Sequence, residues 1–110
     1  MNQINTPLKF KYNFLENKLW RIEDDYFYEI IESKQSIEHY PYTRLITRFK
    51  LAQKQWLILN SLNEQFTSFI ATYQKVSNGE TIVYEKKIFL PMGEAIFEFM
   101  EEDRVKLRSF

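Results

Sequence analysis

The chain has no cysteine, one histidine, two glycines and three prolines among its 110 residues, and each scarcity removes a class of chemistry. Without cysteine there is no disulfide, no thiolate nucleophile and no thiolate metal site, a composition compatible with a reducing compartment. One imidazole cannot build a clustered histidine site. So few glycines leave no phosphate-cradling loop and no long flexible linker. Every apolar run falls short of the roughly 20 residues that a membrane-spanning helix needs, and residues 1–11 lack the charged start and apolar block of a signal peptide. A cytoplasmic protein away from the membrane is expected. Fifteen basic residues balance fifteen acidic ones, so the overall field makes no case for wrapping nucleic acid.

What the chain does hold is apolar and aromatic. Hydrophobic residues make up 45% of it, enough for one modest core at this length. The expectation is one domain over residues 1–110 with a loose lead over residues 1–6. Ten phenylalanines, seven tyrosines and two tryptophans supply either that core or a sticky surface, and core use is the default for such side chains.

Leu8, Phe10, Tyr12 and Phe14 alternate with Lys9, Lys11 and Asn13, the period of a half-buried strand. Turn residues at Leu15 to Lys18 and at Glu23-Asp24-Asp25 then bracket a second strand with Leu19, Trp20 and Ile22, and Tyr26 to Glu32 returns as a third. Ser33 to Tyr42, ending in His39-Tyr40-Pro41-Tyr42, reads as a loop.

Thr43 offers a capping hydroxyl, and Leu45, Phe49, Ala52, Trp56, Leu59, Phe66, Ile70 and Tyr73 recur at spacings of three, four and seven. The spacing predicts one long helix from Thr43 to Val76, closed by Ser77-Asn78-Gly79. At about 50 Å it would exceed the roughly 30 Å width of a small domain. Either it bends at Asn60-Ser61-Leu62-Asn63, where Ser61 and Glu64 match a capping box, or it runs straight and leaves Leu45 and Phe49, or Ile70 and Tyr73, uncovered. Thr81 to Leu90 reads as a strand, Pro91-Met92-Gly93 as a turn and Ala95, Phe97 and Phe99 as a further strand. A hairpin through Glu101 to Arg104 would bring Val105 to Arg108 back, while a helix over Gly93 to Arg104 is the rival reading. The expected fold is therefore α+β: an antiparallel sheet of about five to six strands with one long helix on one face, in the order βββ-α-ββ(β).

No motif fixes a catalytic, cofactor or metal site. Glu23-Asp24-Asp25 lacks the spacing and glycine of a calcium loop, and His39 has no argued partner for acid or base work. Arg44, Arg48, Lys50 and Lys54 gather positive charge in the first half of the predicted helix, where it opposes the dipole. The leading expectation is a small, non-enzymatic protein–protein interaction module of regulatory, inhibitor/immunity or assembly type. Its interface residues would be Arg44, Arg48, Lys50, Lys54, Leu45, Phe49, Ile70 and Tyr73, and its partner another protein or a second copy in a homodimer. The alternative is nucleic-acid binding through the same basic residues. A second alternative is metal-assisted hydrolysis with Glu85 and Lys87, two apart on one strand and so on one face.

Overall fold

The computed structural model describes residues 8–31, 34–39 and 44–106, with residues 34–39 and 44 described by backbone alone. Among these, nine strands run in chain order: β1 Leu8–Asn13, β2 Lys18–Glu23, β3 Tyr26–Glu29, β4 Lys34–His39, β5 Arg44–Ala52, β6 Gln55–Ser61, β7 Ser68–Ser77, β8 Glu80–Phe89 and β9 Glu94–Phe99. A single 3₁₀ turn, Glu101–Asp103, follows. Every ladder is antiparallel. One sheet has the order β3-β2-β1-β9 and the other β4-β5-β6-β7-β8, so neighbours in space are neighbours in sequence except where β9 joins β1.

The expected α+β architecture is thus corrected to an almost entirely β one: Thr43 to Val76 contains no helix among its described residues but most of three strands. The physical reason lies in which face each residue takes. Cross-strand partners share a face, and in β5 to β7 the odd residues Thr47, Phe49, Leu57, Leu59, Ser61, Phe69, Ala71 and Tyr73 are buried. Two of those inward positions are hydroxyl residues, and outward positions carry Ile46, Trp56, Ile58 and Ile70. Alternation is blurred in both directions, and what survives is a chance spacing of three and four. The apparent stripe mixes inward Leu59 and Tyr73 with outward Trp56 and Ile70 and with loop residue Phe66.

The turns hid the strands as well. Gln53 and Lys54 connect β5 to β6 without glycine, proline or asparagine, Lys54 taking φ 60° beside a register shift between Lys50 and Ala52. Ser61 is where β6 ends, and residues 62–67 form a loop pinned by Asn63, whose Oδ1 accepts the Thr67 N–H at 3.0 Å. Asn78 and Gly79, both left-handed at φ 53° and 74°, make the two-residue hairpin of β7 and β8 and not a helix end. β4 corrects the expected loop over Ser33 to Tyr42, of which Ser33 and residues 40–42 fall outside the described residues, as do residues 1–6. Gly93 to Arg104 is strand followed by the 3₁₀ turn. Past it the described residues pair with β8 and not with β9, Arg104 bridging Tyr84 and the Val105 N–H donating to the Val83 carbonyl at 2.8 Å, while Leu107 and Arg108 of the expected return lie outside the described residues.

The inward faces of the two sheets form one core. Leu8, Phe10, Tyr12, Leu19, Phe97 and Phe99 from the first meet Phe49, Leu57, Leu59, Phe69, Tyr73, Tyr84 and Ile88 from the second. Tyr12 packs edge-on against Phe49 and Phe69, with ring centroids 6.2 and 5.8 Å apart, and Tyr73 meets Phe99 at 6.1 Å. Burial of each such ring contributes roughly 1.5–3 kcal/mol. The face of β1 expected to be buried is buried, against a second sheet where a helix was expected.

Candidate interaction site

Two sheets wrapped in chain order leave two places where strands adjacent in sequence are not joined by a ladder: between β8 and β9, and between β3 and β4. The first is closed. Arg104 and Val105 pair with the edge of β8, and Lys86 bonds the Glu98 carbonyl on β9 and the Asp103 carboxylate. At the second, β3 pairs with β2 alone among the described residues.

The tight turn before β3 sets its position. Asp24 and Asp25 both take left-handed backbone, φ 49° and 67°, the pair of positive angles that a two-residue hairpin turn demands. Short acidic side chains tolerate that conformation, so the acidic cluster has a structural use. The register places Tyr26 opposite Glu23 and Tyr28 opposite Arg21. The Ile30 N–H donates to the Leu19 carbonyl at 2.8 Å, which fixes the phase of the ladder: backbone groups of Tyr26 and Tyr28 face β2, and those of Phe27 and Glu29 face the open edge. Along this edge Tyr26, Phe27 and Tyr28 are 67%, 51% and 52% exposed. The Lys11 amine lies 5.3 Å from the Trp20 ring and 5.7 Å from the Phe27 ring on the outer face.

Between the inner face of these strands and the β5–β6 turn of the other sheet lies a cleft of about 290 Å³ lined by Phe10, Arg21, Glu23, Tyr28, Ile30, Leu51, Ala52 and Gln55. Arg21 shares its face with Leu19 and with its cross-strand partner Phe10, so its guanidinium turns inward and lies 5.5 Å from the Phe10 ring. Its Nη2 pairs with Glu23 Oε1 at 3.3 Å, while its Nε is buried with no hydrogen-bond partner. Behind the cleft the Tyr73 hydroxyl donates to Gln55 Oε1 at 3.0 Å. Burial pushes the Tyr73 phenol above its ordinary range, and the nearby Arg21 charge partly offsets this.

The residues singled out from the sequence are scattered. Arg48 and Lys50 are exposed on the outer face of β5, Arg48 lying 4.9 Å from the Trp56 ring. Lys54 is exposed in the next turn, and Arg44 begins β5 with only its backbone described. Phe49 and Tyr73 are core residues, Ile70 is half-buried on the outer face, and Leu45 is half-buried with its N–H donating to Ser61 Oγ at 2.7 Å. Glu85 and Lys87 are exposed on the outer face of β8, and no group of three metal-ligating side chains occurs among the described residues. His39 ends β4, its side chain outside the description.

Sequence reading passed over Arg21 and Gln55. A signal for the first was present: once Leu19 is assigned inward, period two puts Arg21 inward too, a charge at a core position. Gln55 carried none, because the turn before it was unrecognised. No family model, no curated protein and no solved structure matches the chain.

Proposed function

We propose that the protein is a non-enzymatic protein-binding module, cytoplasmic in setting, that takes up an extended segment of a partner polypeptide along β3. The observation that carries this reading is an edge left unpaired among the described residues: outward-facing backbone groups at Phe27 and Glu29 beside three consecutive exposed rings. Edge strands usually carry lysine, proline or a cover that blocks such pairing. Here the opposite edge of the fold is plugged and β3 carries only Glu29 as a charge. Strand addition supplies affinity through main-chain hydrogen bonds and selectivity through alternate side chains, and Tyr and Phe are the residues that most often anchor interfaces.

Phe27→Pro tests the reading, because the N–H it removes faces the open edge and the ladder to β2 stays whole. Wild type and variant, each shown to be folded by circular dichroism, serve as baits in the native cell extract, with light scattering reporting self-association. A partner, or a dimer mass, that is present for the wild type and lost with Phe27→Pro supports strand addition at β3. Equal capture by both baits, with equal masses, overturns it.

Nucleic-acid binding is a second reading, favoured by the side-by-side placement of Arg48, Lys50 and Trp56 on one outward face. Its mark would be affinity for single-stranded oligonucleotides that falls steeply with salt and drops in a Lys50→Ala, Lys54→Ala double variant. No binding at low salt disposes of it.

A further inference from the structure

The cleft behind β3 holds an arginine whose chemistry is incomplete. Arg21 has a side chain 22% exposed, and its ion-pair partner among the described residues, Glu23, is 47% exposed, so that pair contributes little. Its Nε–H is buried and, among the described residues, meets no acceptor. A buried donor left without an acceptor is costly, and more so on a charged group. The guanidinium is thus short of acceptors, and the part of the side chain that still reaches solvent, 22% of it, is where an acceptor brought from outside can bond. The space beside it is of the right kind. At about 290 Å³ it lies at the lower edge of the roughly 300–1,000 Å³ typical of small-molecule sites. Its lining is polar at Arg21, Glu23, Tyr28 and Gln55 and apolar at Phe10, Ile30, Leu51 and Ala52.

We infer that this cleft is a binding site for a small amphipathic carboxylate, its head on the Arg21 guanidinium and its apolar body against Phe10, Ile30, Leu51 and Ala52. A carboxylate fits better than a neutral head because charge-assisted bonds to guanidinium are short and strong, and the apolar wall selects a body that prefers to leave water. Glu23 competes for the same guanidinium at 3.3 Å. It is therefore a gate on affinity: the ligand's carboxylate must displace it or sit against its charge. Tyr28 belongs to both places, but the site does not rest on strand addition at β3, which would use the backbone of Phe27 and Glu29.

The experiment is calorimetric titration of the full chain with octanoate, with 1-octanol as the neutral control, and with heteronuclear NMR to locate the contact. Octanoate should bind at least tenfold more tightly than octanol and shift the amide resonances of Leu51, Ala52 and Gln55, which line the cleft together with Arg21. Arg21→Met should weaken octanoate tenfold or more and leave octanol within about twofold. Glu23→Gln, which keeps the arginine and removes its competitor, should strengthen octanoate severalfold. Equal binding of octanoate and octanol, no binding of octanoate at millimolar concentration, or weaker binding in Glu23→Gln would each overturn the assignment. The Glu23 variant keeps the test decisive if Arg21→Met does not fold.

Discussion

Phe66 holds a backbone that bulky residues avoid, φ 55°, and its ring stacks on Phe14 with centroids 4.8 Å apart and planes at 14°. The left-handed conformation costs roughly 1–2 kcal/mol in an L-residue, and an aromatic pair returns about 0.5–1.5 kcal/mol beyond its buried area. The two nearly cancel, so the loop is kept by the stack and by Asn63, which bonds Thr67 through both of its amide atoms. Phe66→Ala keeps the strain and loses the ring; Phe66→Gly loses the ring and the strain. Urea denaturation should therefore rank alanine below glycine by about 1 kcal/mol, the reverse of their order in regular elements. At this scale the sequence was most legible in β1, where Leu8, Phe10 and Tyr12 declare a face that is indeed fully inward. It was least legible where one inward residue is polar: buried Thr47 and Ser61 look like surface positions until Ser61 Oγ is seen accepting the Leu45 N–H.

Two turns with similar angles carry different residues, and the contrast sets an expectation for the elements they join. Gly79 sits at φ 74° with nothing within 4 Å of the place a Cβ would occupy, so Gly79→Ala meets no clash and only the conformational cost, about 1 kcal/mol of lost stability. Lys54 takes nearly the same conformation, φ 60°, with a side chain that gains nothing from it. Lys54→Gly should raise the urea midpoint by an amount equivalent to a few tenths of a kcal/mol, after the extra freedom glycine gives the unfolded chain. The Lys54 carbonyl accepts the Val76 N–H at 2.9 Å, a backbone contact that both residues keep. These turns explain what could be read at the level of elements. β1, β2, β3, β8 and β9 lie between recognisable breakers such as Asp24-Asp25 and Pro91-Met92-Gly93, and they are legible; β5, β6 and β7 are joined by Gln53-Lys54 and by a loop ending in Phe66, which announce nothing. The open edge of the candidate site was partly visible in the run Tyr26-Phe27-Tyr28, apolar at both parities, whereas the cleft needed the register to be found.

For the whole molecule the buried phenols govern the response to alkali. Burial holds the Tyr12 phenol up to about 12, with a hydrogen bond to Thr47 acting the other way, and Tyr73 and Tyr84 are also raised by burial. In the unfolded chain a tyrosine ionises near 10. Between those values the unfolded state binds fewer protons than the folded one, so raising the pH favours unfolding. Stability should be flat with respect to Tyr12 below about pH 10 and fall from about 10 to 12, by roughly 2–3 kcal/mol in all for this residue. Urea midpoints across that range should show the fall in the wild type and a shallower one in Tyr12→Phe.

The ladder between β1 and β9 has a consequence for how the chain reaches this state. Every other ladder closes over a few residues, but pairing Leu8 with Phe99 joins segments about ninety residues apart, an entropic cost that only the collapsed remainder of the chain can offset. A three-strand meander at one end and a five-strand meander at the other can form locally and early, each exposing an apolar face until β9 docks on β1. Substitutions in that ladder, such as Phe97→Leu, should slow folding less than they speed unfolding, and the late arrival of β9 leaves the two apolar faces open to wrong partners until it docks.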